Sequence, residues 1–257
     1  MIQHMQDSAY FALPALNNST LSKFARCPAA CLTDFETTPA MNLGTALHTA
    51  CLEGQETFMS RFYIMDKVDG RTKEGKAARA QAEIDSEGKT IITMDDFDKV
   101  CGMAESINSH PTANEFLSAC PQREMAITWE MDGVKCKAKA DALGKYLIDI
   151  KTTQSADQFK FANKTIVDSR YHQQLAWYYD GLKANLRALE GVFIIAVENT
   201  APYTCNVFQL NDAMLEWGTA CYLPLLRKYR DCLANNQFPS YQQAGVIECR
   251  PPAWVTL

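Results

Sequence analysis

The chain has 257 residues, of which 47% are hydrophobic and 21% are charged, and its formal net charge at pH 7 is −5. This composition is ordinary for a globular protein, and the length allows one large domain with a full hydrophobic core. The negative charge excludes a surface that is basic throughout, although a channel can still be locally basic. No apolar run approaches the roughly 20 residues of a membrane span, and MIQHMQDSAYF at the start does not resemble a signal peptide. We therefore expect a cytoplasmic protein that does not enter the membrane.

The ten cysteines do not form a recognisable framework. Their spacings are irregular, and the chain is far longer than a small disulfide-rich secreted domain. Cys27 and Cys31 form a CxxxC pair, but no CxxC pair occurs. Neither a zinc ribbon nor a compact iron–sulfur motif is indicated, and we expect reduced thiols.

Helices are predicted for most of the N-terminal half. The segment NNSTLSKFARCPAACLTDF predicts a capped helix, with Asn18 or Ser19 as the cap. MNLGTALHTACLEG predicts a second helix, with His48 on the flank of its apolar stripe. Further helices are predicted from about Glu74 and over Thr93–His110. A lone histidine in a helix is more often a hydrogen-bonded structural residue than a ligand, so the role of His48 stays open here.

Three consecutive strands are predicted after residue 122. The first alternates apolar and polar residues over Arg123–Met131, and Asp132-Gly133 then marks a tight turn. The second strand covers Val134–Ala142. Leu143–Lys145 can turn the chain into a third strand, which contains the sequence IDIKTT.

The third strand carries the most informative motif of the chain. Asp149 and Lys151 share one face, whereas Ile148 and Ile150 share the other. The preceding turn brings Asp141 near Asp149, and adjacent carboxylates repel unless a cation lies between them. Oxygen ligands of this kind suit Mg²⁺ or Mn²⁺, and a lysine beside such an ion can stabilise a pentacovalent phosphate or orient the attacking water. The motif therefore suggests metal-dependent hydrolysis of phosphodiesters.

A purely structural interpretation competes with this one, because Asp-x-Lys on an exposed strand is commonly a solvated salt bridge. The two isoleucines favour a buried, central strand instead. The motif also lies in a basic part of the chain, which contains Lys135, Lys137, Lys139, Lys145 and Lys151.

The C-terminal half is predicted to alternate helix and strand. YHQQLAWYYDGLKA predicts a helix on which Gln174 and Tyr178 project from one face. A carboxamide and a phenol together suit a phosphate or a sugar edge, although Tyr178 could equally pack in the core and Gln174 be solvated. GVFIIAVEN predicts a buried strand, and residues 211–235 predict a long closing helix, bent at Pro224.

The order of these residues resembles the RecB-like branch of the PD-(D/E)XK nuclease superfamily, and within it the RecE-type, exonuclease VIII-like catalytic domain. The matching set is GxxxH at Gly44–His48, Glu124, Asp141, Asp149-x-Lys151 and QxxxY at Gln174–Tyr178. The blocks SxLSKFxxCP, GTALHTACLE, RTKEGKAARA, IDIKTT and YHQQLAWYYDG extend the resemblance over most of the chain. It implies an α/β (α+β) fold with a restriction-endonuclease-like core, a mixed central sheet flanked by helices. We expect a single domain over residues 1–257, with a helical part at 1–120 and the catalytic sheet and helices at 121–257.

The resemblance also implies a role for each residue of the set. The metal, Mg²⁺ with Mn²⁺ as a substitute, would be bound by Asp141, Asp149, His48 and Glu124. Lys151 would serve the nucleophilic water and the transition state. Gln174 and Tyr178 would support the site and the DNA strand, and Lys137 and Lys139 would face DNA in a channel.

Two departures from the family pattern bear on these expectations. Ala140 stands where the superfamily has its name-giving proline, which this branch often lacks. Some relatives hold an iron–sulfur cluster with four cysteines, but the clustered C-terminal cysteines are absent here. We expect neither an iron–sulfur cluster nor zinc.

The activity implied is a Mg²⁺-dependent exodeoxyribonuclease that degrades linear double-stranded DNA from its ends, 5′ to 3′, and leaves 3′ single-stranded tails for recombination. A single-strand annealing recombinase would be its partner, a homo-oligomeric ring its assembly, and a bacterial or phage-infected host its setting. The alternatives are a structure-specific or single-strand endonuclease with the same metal site, and a non-catalytic scaffold that binds DNA ends. The presence of both Asp149 and Lys151 disfavours the scaffold.

Overall fold

The computed structural model of the chain describes residues 1–33, 37–241, 245–251 and 254. The strands are β1 (Ile2–His4), β2 (Phe62–Met65), β3 (Thr90–Thr93), β4 (Gln122–Met131), β5 (Val134–Leu143), β6 (Tyr146–Thr153), β7 (Gly191–Glu198) and β8 (Cys205–Leu210). The helices are α1 (Asp7–Ala12), α2 (Asn18–Arg26), α3 (Pro39–His48), α4 (Gln55–Arg61), α5 (Lys73–Asp85), α6 (Met94–Ser109), α7 (Pro111–Ser118), α8 (Gln158–Lys160), α9 (Ile166–Asp168), α10 (Tyr171–Ala184) and α11 (Asp212–Asn235). A 3-10 helix at Pro28–Leu32 and π-helical turns at Thr49–Glu53 and Phe161–Thr165 complete the regular structure.

A six-stranded mixed sheet forms the centre of the molecule, in the order β1-β4-β5-β6-β7-β8. Strands β6 and β7 are parallel, and each of the other neighbouring pairs is antiparallel. The Asp132-Gly133 turn between β4 and β5 has positive φ at both residues, as a tight hairpin turn requires. Strand β6 lies inside the sheet, between β5 and β7, as the two isoleucines predicted. Both Ile148 and Ile150 are fully buried.

Helices cover both faces of this sheet and enclose two hydrophobic cores. One core contains Trp177 of α10, Tyr222 of α11 and Phe24 of α2. The other contains Leu47 of α3 and Met103 of α6, together with Ile148 and Ile150. Burying a side chain of this size contributes about 1.5–3 kcal/mol, so the isoleucines hold β6 firmly in place. The predicted mixed sheet flanked by helices is confirmed.

Three short strands lie in the described part of the chain before residue 121, which was predicted to be helical. Strand β1 joins the central sheet through antiparallel pairing with β4, with Ile2 opposite Ile127. Strands β2 and β3 form a separate two-stranded parallel sheet. These strands have only three or four residues, and such short runs carry too little alternation to be recognised in the sequence.

Local side-chain chemistry sets several helix starts. The cap of α2 is Asn17, whose Oδ1 accepts a hydrogen bond from Thr20 N at 2.7 Å, so the prediction of Asn18 or Ser19 was wrong by one or two residues. The end of that predicted segment, Asp34 and Phe35, lies outside the described residues. Helix α6 begins after Thr93, as predicted. Helix α11 continues through Pro224. Within the described residues, no helix combines the length and the apolar character needed to cross a membrane.

Candidate active site

The site lies where strands β5 and β6 separate. Close to their turn, Ala142 pairs with Ile148 and Leu143 with Leu147. Farther along the strand, side chains instead of β5 backbone groups contact the N–H and the carbonyl oxygen of Ile150. Its N–H donates to Asp141 Oδ2 at 2.7 Å, and its carbonyl oxygen lies 2.8 Å from His48 Nε2. This fork admits side chains from α3 and from α10, which belong to the two different cores.

The orientation of His48 follows from this contact. A carbonyl oxygen only accepts hydrogen bonds, so Nε2 donates its hydrogen to Ile150 and the ring turns Nδ1 toward Asp141. Nδ1 lies 3.5 Å from Asp141 Oδ1. A backbone contact that fixes the tautomer in this way is typical of a histidine that binds a metal.

Three side chains bring possible ligand atoms together at the fork. One ligand atom each of His48, Glu124 and Asp141 lies within 4.8 Å of the others. Two carboxylates and an imidazole suit a divalent ion such as Mg²⁺ or Mn²⁺ better than a soft metal, because no thiolate takes part.

Asp149 provides an independent test of whether the site fits a metal ion. Its side chain is only 2% exposed, and Oδ2 forms an ion pair with Lys151 Nζ at 2.7 Å. Its other oxygen, Oδ1, accepts a hydrogen bond from Gln174 Nε2 at 3.3 Å. The Lys151 ammonium partly offsets the charge of this buried carboxylate, and a coordinated cation would stabilise the remaining acidic groups around it. The residues of the fork therefore fit a divalent metal ion.

Burial and the neighbouring acidic groups change the pKa values of the charged residues in the site. Burial raises the pKa of Asp141 from 3.8 to about 7; His48 opposes this rise, and Asp149 and Glu124 add to it. Burial by itself disfavours the charged form of Lys151, but Asp149 and Asp141 outweigh it, and its pKa lies above the ordinary value. The site thus holds a charged lysine beside carboxylates that need a cation.

Helix α10 supports the site from the opposite core. Gln174 Nε2 donates both to Asp149 Oδ1 and to Tyr178 Oη, the latter at 2.9 Å. Burial and the charge of Asp149 raise the pKa of Tyr178 well above its usual value, so the phenol keeps its proton. Tyr171, at the start of the same helix, lies with its ring centroid 5.0 Å from Lys151 Nζ. The sequence interpretation missed Tyr171, although its i,i+3 spacing to Gln174 places both on one face of the helix.

The two lysines that were predicted to face DNA point elsewhere. Lys137 is 4% exposed, and its Nζ donates to the carbonyl oxygens of Tyr10 and Leu13, each at 2.8 Å. Lys139 Nζ is held between Asp7 and Glu124, at 2.7 Å from Glu124 Oε2. Both ammonium groups already have buried or half-buried partners, so neither is available to a DNA backbone in this arrangement, and we withdraw that prediction.

Comparison with known proteins identifies the family. Residues 17–250 match the family model described as "PDDEXK-like domain of unknown function (DUF3799)". The chain belongs to this family. The match spans His48, Glu124, Asp141, Asp149 and Lys151 as well as helix α10, whereas Asp7 lies before its first residue.

The PDDEXK-like assignment agrees with the fold. A crystal structure of a protein from Eubacterium rectale, described as a "Putative exonuclease", has a TM-score of 0.68 to this chain at 13% sequence identity. The superposition covers 98% of this chain and 97% of the other. At this identity the likeness shows a shared fold. A search of curated proteins finds no match to the sequence. The predicted superfamily is confirmed; its RecE-type subdivision stays a prediction.

Proposed function

We propose that this PDDEXK-like protein is a Mg²⁺-dependent exodeoxyribonuclease that hydrolyses linear double-stranded DNA from its ends. The observation that carries the proposal is the fork itself, in which ligand atoms of His48, Glu124 and Asp141 lie within 4.8 Å of one another and the buried Oδ2 of Asp149 lies 2.7 Å from Lys151 Nζ. Buried, mutually interacting charged groups of this kind cluster at functional sites.

Asp141, Asp149, Glu124 and His48 would hold the metal. When bound, Mg²⁺ supplies Lewis-acid stabilisation of the phosphate and lowers the pKa of a coordinated water. Lys151, with its raised pKa, stays protonated. Its ammonium would stabilise the negative charge that develops on the phosphate oxygens and would hold the attacking water in line.

Helix α10 keeps this arrangement in place. Gln174 holds Asp149 Oδ1 through its amide, which leaves Oδ2 directed at Lys151 and the fork. Tyr178 accepts from the same amide and retains its own hydroxyl hydrogen. That hydroxyl is a donor suited to a phosphate oxygen of the DNA strand.

The mode of attack belongs to the same proposal. The resemblance to RecE-type domains supports attack from DNA ends, 5′-to-3′ polarity and 3′ single-stranded products. The description of the Eubacterium rectale protein is consistent with exonuclease activity. We further propose a homo-oligomeric ring, cooperation with a single-strand annealing recombinase, and a place in the bacterial cytoplasm.

The test is digestion of a linear duplex labelled at one 5′ end, with Mg²⁺ or with EDTA, beside a closed circular duplex. Release of the 5′ label from the linear DNA alone, only with Mg²⁺, is the expected result. Lys151→Ala should lower the rate by about 100-fold or more, because loss of one charge-stabilising group typically costs this much. Lys145→Ala is the matched control, since Lys145 also pairs with a carboxylate, at 3.1 Å from Glu190, but at an exposed position.

The other outcomes identify the competing functions. Cleavage of the closed circle would show an endonuclease with the same metal site. Binding of DNA ends without any cleavage, in wild type as in Lys151→Ala, would show a scaffold. Equal activity with EDTA and with Mg²⁺ would contradict the metal-dependent mechanism.

A further inference from the structure

A chain of alternating charges connects the N-terminal segment, defined here as residues 1–13, to the metal-ligand set. Arg61 makes two hydrogen bonds to Glu53, at 2.9 and 2.8 Å, and lies 3.2 Å from Asp7 Oδ2. The other oxygen of Asp7 contacts Lys139 Nζ, which in turn contacts Glu124 Oε2 at 2.7 Å. The five groups come from five different elements, and the last is a proposed metal ligand.

The N-terminal segment is fixed to the rest of the molecule on both sides of Asp7. Before it, β1 pairs with β4, the strand that carries Glu124. After it, Lys137 donates to the last carbonyl groups around the end of α1, those of Tyr10, Phe11 and Leu13. A cation at the end of a helix satisfies carbonyl groups that have no partner within the helix. Asp7 is therefore placed at a defined position although it lies outside the residues that match the family model.

Glu124 is the ligand that most needs to be held. Its φ of +52° lies in the left-handed region, inside strand β4. A non-glycine residue keeps such a conformation only where its surroundings determine it. Lys139 contacts Oε2 of its carboxylate, and Oε1 makes no hydrogen bond or ion pair with the described residues. Lys139 is in turn only 15% exposed and has Asp7 as its second carboxylate partner.

We propose that the N-terminal segment is part of the active site, in which Asp7 is a positioning residue that fixes Glu124 as a metal ligand through Lys139. The inference rests on the proposed metal site. It does not depend on whether the substrate is a DNA end or on the direction of degradation. Without Asp7, Lys139 would be free to move with the Glu124 carboxylate, and the ligand would lose its fixed direction. Partners that orient metal ligands in this way typically contribute 10- to 100-fold to metal affinity or activity.

A merely structural role for the segment predicts something different. Asp7 is 41% exposed, and ion pairs at this exposure contribute little to stability. An anchor that only closes the fold would change the unfolding temperature and leave the affinity for a metal ion unaltered. The metal affinity of the apo protein therefore distinguishes the two roles.

The experiment measures Mn²⁺ binding to the metal-free protein by electron paramagnetic resonance of the free ion, without DNA. Asp7→Asn should raise the dissociation constant about tenfold. Lys139→Met should raise it at least as much, and Lys139→Arg should restore most of the affinity. Asp132→Asn is the matched control. The Asp132 side chain, in the turn between β4 and β5, is 35% exposed, and its Oδ2 lies at the same 3.2 Å distance from an arginine, Arg227 of α11.

The double variant Asp7→Asn/Lys139→Met tests the route. If Asp7 acts through Lys139, the double variant should bind Mn²⁺ no more weakly than Lys139→Met alone. Additive losses would overturn that route, and wild-type affinity in Asp7→Asn would overturn the inference while leaving the nuclease proposal intact. A wild-type protein that binds no Mn²⁺ would remove the metal site and with it both proposals.

Discussion

Glu124 has a backbone conformation that a strand residue rarely adopts. Its φ of +52° interrupts β4 between Arg123 and Met125, which pair normally with Ala142 and Ala140 of β5. The left-handed region costs a residue with a Cβ atom roughly 1–2 kcal/mol. The strained residue is thus one whose carboxylate is a proposed metal ligand. Strained backbone conformations commonly occur at functional sites.

This strain predicts an unusual order of stability between two substitutions. Glu124→Gly should unfold about 2–4 °C above Glu124→Ala, since glycine removes about 1 kcal/mol of strain in a domain of this size. Both variants lose the carboxylate, so electrostatic changes cancel in the comparison. Thermal unfolding in EDTA gives the measurement. Glu130 lies in the same strand β4, opposite Lys135 of β5. There the alanine variant should be more stable than the glycine variant, and the same ranking at both positions would contradict the interpretation.

Asp141 predicts how the stability of the metal-free protein depends on pH. Its pKa is 3.8 ordinarily and about 7 in the folded chain, chiefly because of burial. Between these values the folded state binds more protons than the unfolded state, so stability falls as the pH rises from about 4 to about 7. Unfolding temperatures in EDTA should show this fall in wild type and a smaller one in Asp141→Asn. Mg²⁺ requires the ionised carboxylate, so it should restore wild-type stability at pH 7–8. Identical pH profiles for wild type and Asp141→Asn would argue against a raised pKa of Asp141.

The elements that the sequence predicted well are those with a strong local pattern. Helices α6, α10 and α11 and strand β7 lie within one or two residues of their predicted bounds. Each has a long periodic pattern or a long apolar run, and α6 and α11 also have conventional caps, at Thr93 and Asn211. Helix α7 was not predicted. Its cap is His110, whose Nδ1 accepts from Ala113 N, and histidine is not among the residues that usually mark a helix start.

The cap of α2 gives a prediction that separates the structure from the sequence interpretation. Asn17→Ala should cost about 1 kcal/mol, because Thr20 N loses its acceptor, and should lower the unfolding temperature by about 2–4 °C. Ser19→Ala should change stability by less than about 0.5 kcal/mol, since Ser19 is exposed and does not cap the helix. Thermal unfolding of the two variants decides between the two cap assignments. A larger loss in Ser19→Ala would favour the original prediction.

At the scale of the whole molecule, a net charge of −5 makes it hard for a single copy to hold DNA. A ring around the duplex would compensate, because enclosure keeps the enzyme on its substrate. We expect an oligomer in light scattering at micromolar protein concentration, and digestion of one DNA molecule to completion before the next. A monomer at these concentrations would contradict the ring, without bearing on the metal site.

Because Lys137 and Lys139 are engaged internally, the proposed nuclease would contact DNA through other cations. Lys160, Lys164 and Arg170 are exposed between β6 and α10 and form no ion pair with a carboxylate of the described residues. Arg170 directly precedes Tyr171, the ring beside Lys151. Replacing all three by alanine should weaken DNA binding and reduce the slope of log affinity against log salt by up to about 0.9 per lost contact. Fluorescence anisotropy with a labelled duplex, in EDTA, measures both quantities.

The control for this prediction removes the same charge from α11, at Arg227, Lys228 and Arg230. For this control variant, the slope of log affinity against log salt should match that of the wild type. An equal loss in both triple variants would indicate that only overall charge matters, and an unchanged slope in the first would exclude these three residues as DNA contacts.

The sequence by itself determined the central strand, the positions of the main helices and the ordered set from His48 to Tyr178. These features depend on local periodicity and on residue order, which can be read directly from the chain. Only the tertiary structure decided which lysines are free. Lys139 contacts Asp7, 132 residues away, and Lys137 caps α1. Neither contact leaves a local pattern, because the burial and pairing of a charge depend on whatever distant segment packs against it.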